Sequence, residues 1–292
     1  MPIHARFQIT RARTAAAQGV AGLLAAGCAT SQPTPTDAAP QDNEVLLASD
    51  ADWGSLNPAR GNQGPGAANL WGDRTGTGAT GMLVRFADGF SSPPHIHNVT
   101  YRGVVIRGQV HNDDPTAEPM WMPTGSYWTQ PAGEVHITAA KGTSNLAYIE
   151  IQQGPYMVLP SEQAEDTGER PVNIHESNLV WLDAATLTRI ESDEEAGPKI
   201  AYLWGDPQDA GPSGAFVMLP AGFNGALQSE GASLRAVVVE GQPRYTPEGI
   251  DLQPGSYVGS ARGSTHYIAL STARPSVLYV RSEGPFSVTR SR

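Results

Sequence analysis

Residues 89–108, GFSSPPHIHNVTYRGVVIRG, decide how the chain is read. They set a histidine pair, His95 and His97, behind Pro93-Pro94, and follow it with the apolar run Val104 to Ile106 and a glycine turn at Gly108. Residues two apart on a strand point to one side of the sheet, so both imidazoles share a face. A second stretch, residues 125–136, GSYWTQPAGEVH, supplies a third histidine, His136, from a separate strand. An isolated pair would be read as two solvated side chains. With His136 in register the reading is a metal site, because three neutral imidazoles suit divalent Fe, Zn, Cu, Ni or Mn and leave positions open for water or substrate.

Outward from these stretches the chain repeats itself. Leu70-Trp71-Gly72-Asp73 returns as Leu203-Trp204-Gly205-Asp206, Gly81 as Gly214, Gly89-Phe90 as Gly222-Phe223 and Gly108 as Gly241. After one shortening, Gly125-Ser126-Tyr127 returns as Gly255-Ser256-Tyr257, His136 as His266 and Gly154-Pro155 as Gly284-Pro285. Two copies of this length mean two similar domains, since a solenoid needs at least three short units. Each copy carries short apolar runs bounded by Gly, Pro or Asn: Met82 to Phe86, Val104 to Ile106 and Ala147 to Ile151, then Ala215 to Leu219, Ala236 to Val239 and Val277 to Val280. Helical periodicity is weak throughout, with Leu182 to Glu191 the one candidate for a short helix or turn. The 32 glycines and 24 prolines, about a fifth of 292 residues, agree with an all-β chain of tight turns.

The spacing of Gly89, His95, His97, Tyr101 and Gly108, and of Gly125, Pro131, Gly133 and His136, resembles the two motifs of the cupin superfamily. The duplicated signatures resemble a bacterial two-domain (bicupin) family. The resemblance covers about residues 44–292. It implies two tandem cupin jelly-roll barrels, residues 44–170 and 171–292, with a metal in the mouth of the first. Tyr101 stands where most cupins carry a ligand Glu, and a phenol with a pKa near 10 is a poor ligand until a metal lowers it. Tyr101 is therefore read as a catalytic acid/base group, a hydrogen-bond donor behind the metal, or a packed ring. A three-histidine set is the pattern of some cupin dioxygenases that bind Fe(II), and it weakens an oxalate-type reading. Gln109, His111, Glu150 and Gln152 are expected at the surface or rim, and His175 in a solvated turn. In the second copy Gln228 and Glu230 replace the histidine pair, Leu234 replaces Tyr101, Ala261 the motif proline, and only His266 survives. The second domain is expected to be degenerate and to support the first.

The beginning of the chain reads as an address. Arg6, Arg11 and Arg13 precede a small-residue apolar stretch, Ala15 to Gly27, as in a secretory signal over residues 1–27. Leu23-Leu24-Ala25-Ala26-Gly27-Cys28 resembles a lipobox, which implies acylation of Cys28, the only cysteine, and a periplasm-facing lipoprotein, with Ala29 suited to the outer membrane. Residues 28–43, rich in Pro, Thr, Ser, Gln and Asp, read as a flexible tether. The net charge of -10, without a basic stripe, argues against nucleic acid as a partner and leaves lipid at Cys28 as the only link to a membrane. Three functions stand open: a metal-dependent oxygenase, lyase or isomerase acting on a small molecule, a cell-envelope module that binds or senses a metal or ligand without turnover, or a structural lipoprotein with a vestigial site.

Overall fold

The computed structural model describes residues 43–57, 61, 64–191, 196–229, 231–271 and 274–291. The expected signal, Cys28 and the tether through residue 42 lie outside them. Asn43, expected to end the tether, opens the first described strand instead. Among the described residues no helix is long and apolar enough to cross a membrane.

The chain folds as two tandem jelly-roll barrels, with about half of it in strand and very little in helix. In the first, one large sheet takes the order Val172–Ile174, Tyr127–Gln130, Tyr101–Asp113, Ile137–Ile151, Thr80–Phe86, Gly66–Trp71 and Gly54–Ser55. The short strand His95–His97 pairs with Val158–Pro160 across the mouth. In the second, Asn43–Leu46, Tyr257–Ser260, Leu234–Glu240, Ser276–Ser282, Ser213–Leu219 and Lys199–Trp204 form one sheet. A second sheet is built around Asn224–Ser229. Every apolar run singled out in the sequence lies within one of these strands. Residues 182–191 form turns and a bridge from Leu182 to Ile200, with no helix.

The strands between the barrels are buried on both faces, which is why they read as continuous apolar runs. Along Thr80–Phe86, Met82 and Val84 point into the first barrel and Leu83 into the joint. Along Ser213–Leu219, Ala215 and Val217 point into the second barrel and Phe216 into the joint. The joint explains the duplicated signatures. Trp71 Nε1 donates to Tyr148 Oη at 3.0 Å, and Trp204 Nε1 to Tyr279 Oη at 2.8 Å. Gly81 and Gly214 lie under these indoles, where a β-carbon would collide with the ring nitrogen. Arg102 of the first copy lies over Trp204, and Arg235 of the second over Trp71.

The two copies also trade strands. Asn43–Leu46, ahead of the first copy, pairs with Tyr257–Ser260 of the second, while Val172–Ile174, ahead of the second, pairs with Tyr127–Gln130 of the first. Ser126 and Ser256 of the Gly-Ser-Tyr signatures secure the exchange, their Oγ atoms accepting from the N–H groups of Glu176 and Ala48.

Candidate metal centre

Two short pieces of backbone bring the three histidines together. His95 and His136 exchange backbone hydrogen bonds of 3.1 and 3.0 Å, and His97 follows two residues along the same short strand. All three are buried, and their ligand atoms lie within 4.8 Å of one another. Each Nδ1 faces a backbone carbonyl: His95 that of Pro93 at 2.9 Å, His97 that of Met157 at 2.8 Å and His136 that of Glu134 at 3.2 Å. A carbonyl only accepts, so each Nδ1 carries the proton and each Nε2 keeps its lone pair. That is the tautomer a metal needs, held by the partners that usually orient ligating histidines. Burial, with the neighbouring imidazoles adding to it, holds His97 well below the ordinary histidine range and pushes His136 down to about 3. The His97 and His136 rings are therefore neutral at pH 7, and the donor set fits a divalent transition metal.

Tyr101 is wholly buried and joined to this centre through a polar network. Its hydroxyl donates to Asn112 Oδ1 at 2.7 Å and lies 3.3 Å from His136 Nε2. Asn112 Oδ1 also accepts from Thr138 Oγ1 at 2.8 Å, and Asn112 Nδ2 donates to Gln130 Oε1 at 2.9 Å. Burial raises the Tyr101 phenol above its ordinary value, so it is held as a neutral donor. Tyr156 lies against the other side, stacked on His97 with ring centroids 4.4 Å apart and its hydroxyl 3.2 Å from His97 Nε2. Beside the imidazoles is a cavity of about 50 Å³, walled by Leu56, Phe86, Phe90, Trp128, Ile149 and Val158.

Sequence reading did not find Asn112, Gln130, Thr138 or Tyr156. Thr138 had a signal, since it follows His136 by two. Asn112 had none: it is eleven residues from Tyr101, an odd spacing, and irregular pairing around Arg107 breaks the alternation between them.

Several of the remaining residues depart from expectation. Glu150, expected at the rim, is wholly buried in the joint, where it accepts from Tyr148 Oη at 2.9 Å and Tyr279 Oη at 2.8 Å and lies 3.4 Å from Arg281 Nη1. His111 is buried beside Trp121 and is not part of the three-histidine cluster, whereas Gln152 is exposed and Gln109 half-buried. His175 caps the short turn Glu176–Asn178, as a turn residue should.

In the second barrel Leu227 pairs with His266, as His95 pairs with His136. Leu227 and Ser229 therefore take the places of the histidine pair. Gln228 faces outward, and Glu230 lies outside the described residues. A slip of one residue moves a side chain to the other face of a strand, and equal sequence offsets concealed it. Leu234 does stand where Tyr101 does: it pairs with Ser260 as Tyr101 pairs with Gln130.

The family described as "Domain of unknown function (DUF4437)" matches residues 44–289. The chain belongs to the DUF4437 family. Solved structures share the fold of this DUF4437 protein. A "putative dioxygenase" from Nostoc punctiforme superposes with a TM-score of 0.64 at 14% identity, over 87% of this chain and 88% of that one. An oxalate decarboxylase formate complex from Lactobacillus farciminis gives 0.54 at 12% identity, over 84% and 87%. Oxalate decarboxylase from Bacillus subtilis, a protein with Mn(II) centres, gives 0.51 at 14% identity, over 86% and 80%. At these identities the likeness is one of fold. Among curated proteins no sequence match to the DUF4437 chain is found.

Proposed function

We propose that this protein is a metal-dependent cupin enzyme that holds one divalent transition metal on His95, His97 and His136 and acts on a small molecule as an oxygenase, lyase or isomerase. The observation that carries the reading is the set of three buried imidazoles, each with Nδ1 turned to a carbonyl and Nε2 carrying the lone pair a metal needs. The metal would act as a Lewis acid and offer open positions to a ligand. The protein's own part is to orient the imidazoles, wall the cavity with apolar rings and fix the Tyr101 phenol beside His136, its proton donated to Asn112 Oδ1. The fold likeness to the Nostoc protein agrees with an oxygenase, although fold alone does not choose the reaction.

Elemental analysis of the purified protein tests the metal. About one metal per chain is expected, with loss of it in His95→Ala, His97→Ala or His136→Ala. Retention in Tyr101→Phe is expected too, since all three imidazoles remain, together with a fall in turnover on the order of 10²-fold if the phenol takes part in proton transfer. Metal retained at full occupancy in all three histidine variants would refute the site.

We also propose that the chain is exported and anchored to the outer membrane through acylated Cys28, its two cupin domains being encoded by residues 44–170 and 171–292 apart from the strands they exchange. The lipobox-like residues before Cys28 support the anchor. The protein should fractionate with membranes, and Cys28→Ser should move it to the soluble periplasm; identical fractionation of the two forms would rule the anchor out.

A further inference from the structure

The cavity beside the imidazoles is lined mostly by apolar side chains, among them Phe86, Phe90, Trp128 and Ile149. His95, His97, Tyr101 and Tyr156 also line it, with Asn57, Ser92 and Thr138 as neutral polar neighbours. Among the described residues that line it, none is Asp, Glu, Lys or Arg. Its volume of about 50 Å³ is far below the roughly 300–1,000 Å³ of pockets for drug-sized ligands.

One group at this cavity donates a hydrogen bond whose acceptor a metal would take. The Tyr156 hydroxyl lies 3.2 Å from His97 Nε2, and a metal would occupy that lone pair. Tyr101 differs, because its proton is already committed to Asn112.

We infer that the ligand of this site is a small molecule with a single acceptor head, such as one carboxylate, enolate or phenolate oxygen, on a compact apolar body, and that Tyr156 donates a hydrogen bond to that head. The inference rests on the metal reading above and narrows it. A divalent ion on three neutral imidazoles carries two uncompensated positive charges, which favours an anionic head. A second anionic group too far along the molecule to share the metal would be buried against the apolar side chains with no cation to pair it, and such a charge carries a heavy desolvation penalty. Dicarboxylates too long to place both groups on one metal are therefore disfavoured.

The test uses the full protein reconstituted with Co(II), whose visible absorption reports ligand binding without any turnover. The probes are valerate, with one carboxylate and an apolar chain, and glutarate, of the same length with a second carboxylate too far along the chain to share the metal. Valerate should bind at least about tenfold more tightly than glutarate. Tyr156→Phe should retain its Co(II) and bind valerate about tenfold more weakly, the scale of one hydrogen bond. Glutarate binding as tightly as valerate, neither probe binding, or an unchanged valerate affinity in Tyr156→Phe overturns the inference while the metal reading stands. Failure to take up Co(II) overturns both readings together.

Discussion

At corresponding places the two barrels carry different chemistry on one frame. His95, His97, Tyr101 and Gln130 line the first, where Leu227, Ser229, Leu234 and Ser260 stand in the second. The third histidine is common to both, with different surroundings. His136 Nδ1 faces a carbonyl and its Nε2 points to the centre, whereas His266 Nε2 is taken up by Ser264 and Ser260 and its Nδ1 has no partner among the described residues. The second interior is otherwise filled by Phe223, Leu227, Leu234, Tyr245 and Phe286. A histidine alone does not make a metal site; its tautomer and the space in front of it do.

The joint is the other half of the comparison, because there the copies agree. Trp71 and Trp204, Tyr148 and Tyr279, and Gly81 and Gly214 play the same parts, and one difference is complementary: Glu150 faces Arg281. Glu150→Ala should give the largest effect, about 3–5 kcal/mol lost in chemical denaturation, since the buried Tyr148 and Tyr279 hydroxyls lose their acceptor and Arg281 keeps Glu283 alone among the described carboxylates. Replacing Glu150 and Arg281 together by Met should recover part of the loss. A single variant as stable as wild type would mean that the pair does not hold the joint.

A smaller effect is expected from restoring histidines to the second barrel. Leu227→His with Ser229→His should destabilise by about 2–4 kcal/mol, because polar rings enter a filled apolar core, and the metal content should stay at one per chain. A second bound metal would break the comparison, by showing that donors alone separate the barrels.

The smallest effect concerns pH. Burial pushes His266 down to about 4, so the unfolded chain binds a proton there that the folded chain refuses. Stability from this residue is complete above the unfolded pKa of about 6.5 and is lost as pH falls from there toward 4, by up to about 3 kcal/mol. In metal-free protein His97 and His136 contribute to the same acid limb, so His266→Leu should reduce its slope without removing it and change little at pH 7, as read by urea melts at pH 7 and pH 5. An unchanged slope would place the proton uptake elsewhere.

Much of this was legible in the sequence, for definable reasons. The strands follow from apolar runs between turn residues, and the histidine set from its spacing in the first copy. The duplication located the joint without disclosing it, because Leu-Trp-Gly-Asp looks the same whether Trp71 packs within its barrel or against its neighbour. Partners far apart in the chain stayed hidden: Glu150 meets Arg281 across 131 residues, and Tyr156 reaches His97 across 59. Local register also misled, since Gln228 aligns with His95 by count and Leu227 by pairing.

The traded strands bear on how such a chain can change over time. With Asn43–Leu46 seated on the second barrel and Val172–Ile174 on the first, cutting the gene between the repeats would strip each product of an edge strand and bare a row of unpaired amides along Tyr257–Ser260 and Tyr127–Gln130. Such edges invite self-association. Once the exchange exists, neither copy can be discarded without harming the other, so the second stays indispensable whether or not it carries metal donors. The duplication behaves as a ratchet: inheritance keeps the pair, whatever chemistry each member carries.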